Sequence, residues 1–188
     1  DSIVMGYHGS SAVEQVIGST TSRVLRSSSV PVVIVKEVQS TTDYKKILLP
    51  IDLTRESKQK VSWAVHLAKK YDSEVHIIME VESDEFLMNK VKNNLAQVET
   101  LLKREEVRFV SKILDDQEYP DEFGKDVVQY ATEQEVDLVL IMTQKEGGVL
   151  DFFLGSFARQ IITGTKHTPV MAINPKEISG SYITITGY

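Results

Sequence analysis

Chemistry in this sequence concentrates in Gly6-Tyr7-His8-Gly9 and, after eight intervening residues, Gly18-Ser19-Thr20. Glycines let backbone N–H groups approach an anion closely, and a helix opening at Gly18 adds the partial positive charge of its N-terminus. The hydroxyls of Ser19 and Thr20 are further donors for phosphate oxygens. The stretch holds neither the Gly-Lys-Ser/Thr of a Walker loop nor Gly-x-Gly-x-x-Gly. A plain strand–helix turn uses glycines in the same way, so the spacing alone leaves both readings open.

The second half of the chain repeats part of this pattern and loses the rest. Asp1-Ser-Ile-Val-Met, Gly18-Ser19 and Pro31-Val-Val-Ile-Val return as Asp137-Leu-Val-Leu-Ile-Met, Gly155-Ser156 and Pro169-Val-Met-Ala-Ile. Where the first repeat has Gly6 and Gly9, the second has Met142-Thr143-Gln144-Lys145-Glu146. Counting forward from Asp137 sets Met142 and Lys145 at the glycine positions, and counting back from Gly155 sets Thr143 and Glu146 there. Both glycines are lost in either register, and Gly147 and Gly148 are displaced. A side chain such as Met142 bars close backbone approach, and Glu146 repels phosphate by about 1 kcal/mol or more in a partly shielded site.

Other candidates carry less. Asp52 ends an apolar run, where a carboxylate serves equally as a ligand contact or as a turn or helix cap. His8, His66, His76 and His167 show no metal-ligand spacing, and no His-Glu-x-x-His occurs. Asp115-Asp116-Gln117-Glu118 with Asp121-Glu122 makes an acidic stretch without calcium-loop spacing, read as a solvated loop. Trp63 is read as packing, Ser27-Ser28-Ser29 as a connector, and no Gly-x-Ser-x-Gly is present.

The elements that must position these residues follow from periodicity. Apolar runs at 46–51, 74–81, 107–114, 136–142 and 169–173 read as strands. Between them, Val61, Ala64, Val65 and Ala68 form one helical stripe capped by Thr54, and Leu87, Val91, Leu95, Val98 and Leu102 form a second. Phe123, Val127 and Ala131 mark a third helix, with Pro120 in its first turn, and 152–163 reads as a fourth. Continuous apolar strands alternating with amphipathic helices call for a parallel sheet covered on both faces. Residues 44–174 therefore read as one complete α/β domain, a doubly wound five-stranded parallel sheet. Residues 1–36 read as the strand–helix–strand end of a first such domain, 37–43 as a linker and 175–188 as a tail, whose 182–186 alternate like a strand.

Composition narrows the function classes. The 188 residues are 41% hydrophobic and 26% charged, ordinary for a globular chain. Net charge is −6 with pI near 5.3, which argues against a general nucleic-acid backbone binder. No cysteine is present, which excludes disulfides, zinc thiolates, iron–sulfur clusters and thiol nucleophiles. Runs such as Val30–Val35 and Leu138–Met142 fall far short of the roughly 20 residues that span a bilayer.

Met5-Gly6-Tyr7-His8-Gly9, Gly18-Ser19, Val24-Leu25-Arg26 and Val30-Pro31-Val32-Val33-Ile34-Val35 together resemble the C-terminal signature of the universal stress protein family, with one residue fewer between the glycines. Lys46-Ile-Leu-Leu-Pro50-Ile-Asp52 resembles that family's first strand, so the likeness runs from Asp1 to Asn174 as a tandem pair truncated at its front. The resemblance implies a Rossmann-like fold with strand order 3-2-1-4-5. It also implies a cytoplasmic, non-enzymatic regulatory or protective role in the stress response, with ATP as the ligand and no metal beyond nucleotide-associated Mg. Gly6, Gly9, Gly18, Ser19 and Thr20 in the first repeat, and Gly155 and Ser156 in the second, would hold phosphates, with Asp52 and Val81 flanking the adenosine. Neither repeat alone carries the whole set. The alternatives are a second domain that has lost the nucleotide and serves as a dimerisation or partner scaffold, and a slow ATPase. Last strands in the family pair antiparallel, so residues 31–36 are expected to pair with 169–174, within the chain or between two copies.

Overall fold

The computed structural model describes residues 1–7, 17–36, 43–54, 56–115, 117–119, 122–145, 152–153 and 155–175. His8, Gly9, Asp116, Pro120, Asp121, Glu146 to Gly148, nearly all of the 37–43 linker and the 182–186 tail lie outside the described residues. The elements are β1 (Ile3–Gly6), α1 (Ser19–Ser27), β2 (Val32–Val35), β3 (Lys46–Pro50), a 3-10 turn (Glu56–Lys58), α2 (Gln59–Tyr71), β4 (Glu74–Glu80), α3 (Glu85–Arg104), β5 (Phe109–Leu114), α4 (Phe123–Glu133), β6 (Leu138–Met142), β7 (Gln144–Lys145), β8 (Phe152–Phe153), α5 (Ser156–Gly164) and β9 (Val170–Ile173).

Seven strands form one sheet in the order β1-β2-β9-β6-β3-β4-β5. Within 44–174 this is the expected 3-2-1-4-5 order, and each of those neighbours runs parallel. Strands in the middle have no solvent-facing side, so β3, β6 and β9 bury every residue but Lys46 and Met142, which are half-buried. One face of the sheet packs Leu25, Val127 and Ile161, and the other packs Val61, Val98 and Leu102. The helical stripes behave as their spacing requires: Val61, Ala64 and Ala68 are buried on α2, and Phe123, Val127 and Ala131 on α4.

The structure moves several element boundaries, among them that of α4, which begins at Phe123 and so leaves Pro120 outside its first turn. Thr54 does not cap α2: its Oγ1 accepts from Ser57 N (3.2 Å), closing the 3-10 turn before α2, whose own cap position, Lys58, is helical. Strand β5 starts at Phe109 because Glu106, at φ 56°, makes a left-handed turn after α3. The helix expected from Phe152 begins at Ser156; Phe152–Phe153 instead pairs antiparallel with Gln144–Lys145, as aromatics favour extended backbone and Gly155 ends the ribbon.

The join of the two halves is antiparallel and self-symmetric. Val33 faces Met171, with Val32 opposite Ala172 and Ile34 opposite Val170. The expected pairing of 31–36 with 169–174 is thus formed inside one chain over these residues. Matching hydrogen bonds lie on either side: Ile3 N–H to Pro31 O (2.9 Å) mirrors Val139 N–H to Pro169 O (3.0 Å), and Tyr7 N–H to Val35 O (2.7 Å) mirrors Thr143 N–H to Ile173 O (3.0 Å). The residue after each last strand reaches into the other half. Asn174 Nδ2 donates to Leu25 O and Ser28 O at the end of α1 (both 2.8 Å), and Lys36 Nζ donates to Thr163 O at the end of α5 (2.6 Å). These contacts satisfy carbonyls that a helix C-terminus leaves open.

Candidate functional site

Because β2 and β9 run antiparallel, the carboxyl ends of the two halves point opposite ways. Asp52, Val81, Gly155 and Ser156 gather at one end of the sheet, and Gly6, Gly18, Ser19 and Thr20 at the other. The nine residues singled out from the sequence therefore divide into two groups, with Gly9 outside the described residues. Ligands of doubly wound sheets lie beyond carboxyl strand ends, so each end is a separate candidate.

At the second repeat's end, Asp52 is exposed and held in a local turn. Its Oδ1 accepts from Thr54 N (2.8 Å) and Thr54 Oγ1 (2.5 Å), while its own N–H donates to Ser57 Oγ (3.2 Å). Val81 follows the neighbouring strand and donates its N–H to Leu114 O (3.0 Å). Beside them lies a residue the sequence reading missed. Lys60, in the first turn of α2, is 1% exposed, and burial pushes its ammonium down to about 8 against the opposing pull of the Asp52 charge. Its signal was its spacing: Lys60 stands four residues before Ala64, on the apolar stripe itself.

The helix start at Gly155 is closed over. A Cβ on Gly155 would lie 2.6 Å from Gln144 Oε1 and 3.0 Å from Gln144 Nε2, so the Gln144 amide covers the spot where phosphate would meet bare backbone. Thr143 beneath it is buried and donates its hydroxyl to Asn174 Oδ1 (2.5 Å), which ties this loop to the amide that caps α1. Gln144 is itself exposed, so a phosphate would reach the Gly155 backbone only by displacing this side chain.

The first repeat's end has the same Gly-Ser helix start, with no such cover among the described residues. Gly6 closes β1 and is exposed. Gly18 takes the N-cap position of α1 (φ −53°, ψ 148°), with no side-chain cap, and nothing among the described residues lies within 4 Å of a Cβ built on it. Ser19 and Thr20 are exposed in the first turn. Lys36 Nζ lies 5.0 Å from the centroid of the Tyr7 ring, and burial lowers its pKa. Among the described residues nothing covers the Gly18 helix start, and the exposed Ser19 and Thr20 hydroxyls there are donors of the kind a phosphate takes.

The remaining candidates are structural. His76 is buried on β4, its Nδ1 3.1 Å from Tyr130 Oη and its Nε2 3.2 Å from Glu74 Oε1; burial lowers its pKa, opposed by Glu74. Tyr119 donates to Glu133 Oε2 (2.9 Å), and burial with that carboxylate raises its pKa. Asp115 Oδ1 accepts from Gln117 N and Glu118 N in a turn of the acidic loop. Trp63 is half-buried and meets His66 edge to face. Among the described residues, no group of three His, Asp or Glu side chains is placed to hold a metal ion. No helix among them is long and apolar enough to cross a membrane.

Comparison with known proteins agrees with this architecture. A universal stress protein of Methanocaldococcus jannaschii is 26% identical over 148 residues, covering 71% of this chain and 85% of the relative. Universal stress protein A of Yersinia pestis is 29% identical over 141 residues, or 69% of this chain and 91% of its own. A solved universal stress protein from Archaeoglobus fulgidus superposes with a TM-score of 0.72 at 21% identity over 94% of this chain. This chain spans 61% of that structure's length. A universal stress protein solved in complex with cAMP gives a TM-score of 0.56 at 15% identity, over 72% of this chain and all of the other. The sequence model of the universal stress protein family matches residues 1–36 and 43–174, so both halves of the sheet are accounted for and the chain belongs to that family.

Proposed function

We propose that the chain is a non-enzymatic stress-response module, regulatory or protective, that takes a nucleotide by its phosphates at the Gly18 helix start. Its second repeat then acts as the scaffold that holds the first and presents a surface for a partner. The observation that carries this reading is the contrast at two equivalent glycines: among the described residues nothing lies within 4 Å of a Cβ built on Gly18, whereas the Gln144 amide lies against Gly155. Bare N–H groups at a helix start bind anions, and the hydroxyls of Ser19 and Thr20 add donors. The family member solved with cAMP supports a phosphate-bearing nucleoside as the ligand class. ATP with its Mg is the ligand the first repeat's loop suits, and a cytoplasmic setting suits that ligand.

Titration calorimetry with Mg·ATP and with cAMP tests the reading. Binding is expected for the parent chain and for Gly155→Val, and is expected to be lost in Gly18→Val, whose φ any residue adopts. Binding that survives Gly18→Val and disappears in Gly155→Val reverses the assignment. Steady ATP turnover by the purified chain would replace a binding module with a slow ATPase.

A further inference from the structure

The antiparallel seam gives each half a matching residue in the other. Val33 faces Met171, so the third residue beyond each, Lys36 and Asn174, takes an equivalent place just past the carboxyl end of β2 or β9. Both bond the end of the other half's helix: Asn174 Nδ2 reaches Leu25 O and Ser28 O, and Lys36 Nζ reaches Thr163 O. A neutral amide does this at Asn174, so capping does not require the charge that Lys36 carries. The Asn174 amide is engaged at both of its ends, since Oδ1 accepts from Thr143 Oγ1. The Lys36 ammonium has three donors and, among the described residues, spends one on Thr163 O and turns toward the Tyr7 ring, 5.0 Å from Nζ. Burial lowers its pKa with no carboxylate opposing, whereas Asp52 opposes the same shift at Lys60. A half-buried cation without a counter-anion is costly, and the partial charge at the end of α5 offsets that cost only in part.

The strands set this charge beside the first glycine. Gly6 is in register with Val35, and Tyr7 N–H bonds Val35 O, so Lys36 lies next to Tyr7 where the chain leaves β1. Val32, Ile34, Met5 and Tyr7 pack with Leu25 of α1, and alternation puts Lys36 on the same face, over which α1 starts at Gly18. The half with the glycines thus carries a cation where the half that lost them carries an amide. From this, and given that Gly18 takes a nucleotide as proposed above, we infer that Lys36 sets the ligand class of the first end: it favours a nucleoside di- or triphosphate over a cyclic monophosphate. The attraction of a half-buried ammonium grows with the ligand's charge and weakens with salt.

Calorimetric titration with Mg·ATP and with cAMP, at low and at high salt, tests this. Lys36→Asn copies the amide of the matching position, and Lys36→Arg keeps the charge. In Lys36→Asn, Mg·ATP is expected to bind about tenfold more weakly at low salt, cAMP to lose less than about threefold, and the salt dependence of ATP binding to flatten; Lys36→Arg is expected to restore all three. Lys36→Gln carries the same expectations should Lys36→Asn not fold. Equal losses for both ligands, with the parent's salt dependence intact, overturn the inference, since Lys36 then acts only by capping α5. Unchanged Mg·ATP affinity in Lys36→Asn also overturns it, and leaves the Gly18 reading standing if Gly18→Val still abolishes binding. A parent chain that binds neither ligand removes both.

Discussion

Two helix starts, Gly18-Ser19 and Gly155-Ser156, descend from the same local pattern and end in opposite states. Each follows a strand, each lacks a side-chain cap, and each opens a nine-residue helix whose C-terminal carbonyls are bonded by the other half. The difference lies in what meets the glycine among the described residues. Gln144 pairs into a short ribbon with residues 152–153 and delivers its amide to Gly155, whereas Gly18 meets nothing within 4 Å among the described residues. An anion site at a helix start is thus decided by whether backbone donors stay bare, more than by the Gly-Ser pair itself.

The largest expected effect tests how completely the second end is filled by the chain's own groups. Lys60 keeps its proton to about pH 10.5 when unfolded but releases it near 8 when folded. Below pH 8 both states are charged and the burial cost is present in full. As pH rises from about 8 to about 10.5 the folded state gains stability, by up to about 3 kcal/mol. Urea unfolding across that range should show the rise, and Lys60→Met should raise stability at pH 7 and flatten the slope. An unchanged slope in the variant would place Lys60 in contact with solvent.

At the two glycines themselves, Gly18→Val should weaken Mg·ATP binding at least about tenfold, about 1.4 kcal/mol, whereas Gly155→Ala should leave it unchanged, since only the mobile tip of Gln144 must yield. Equal losses in both variants would erase the contrast. The link between the halves comes next: Asn174→Ala strands the Leu25 and Ser28 carbonyls and should cost about 1 kcal/mol by chemical denaturation. A change below the error of the measurement would mean water replaces the amide.

The smallest effect concerns His76, away from both ends. Burial holds its folded pKa below the ordinary 6.5, so it contributes a stability that is constant above about pH 6.5 and lost as pH falls below it. Glu74 opposes the shift, and Lys46 reinforces it. His76→Gln should flatten that loss. A steeper acid slope in the variant would show the imidazole is protonated in the folded chain.

Much of the fold was legible because burial on two faces forces continuous apolar runs. Ile47-Leu48-Leu49 and Val139-Leu140-Ile141 announce central strands, and the stripes of α2 and α4 announce helices against them. The ribbon at residues 144–145 and 152–153 was not legible, because Phe152 and Phe153 suit a helix or a strand and the choice depends on partners seven and nine residues away. Lys60 was passed over because a lysine on an apolar stripe reads as a solvated face until its neighbours enclose it. Loss of the second glycine pair was visible in Met142 to Glu146, but the group that closes the site, the Gln144 amide, was not.

Spacing and residue type by themselves determined the alternation of strands and helices, the repeat and the missing glycines, since each rests on local periodicity and backbone permissiveness. Only tertiary structure decided that the two candidate sites lie at opposite ends of one sheet, because spacing alone does not say whether two strand edges meet parallel or antiparallel. Val33 against Met171 is that decision: an antiparallel seam turns two similar halves back to back and keeps Asp52 away from Gly18.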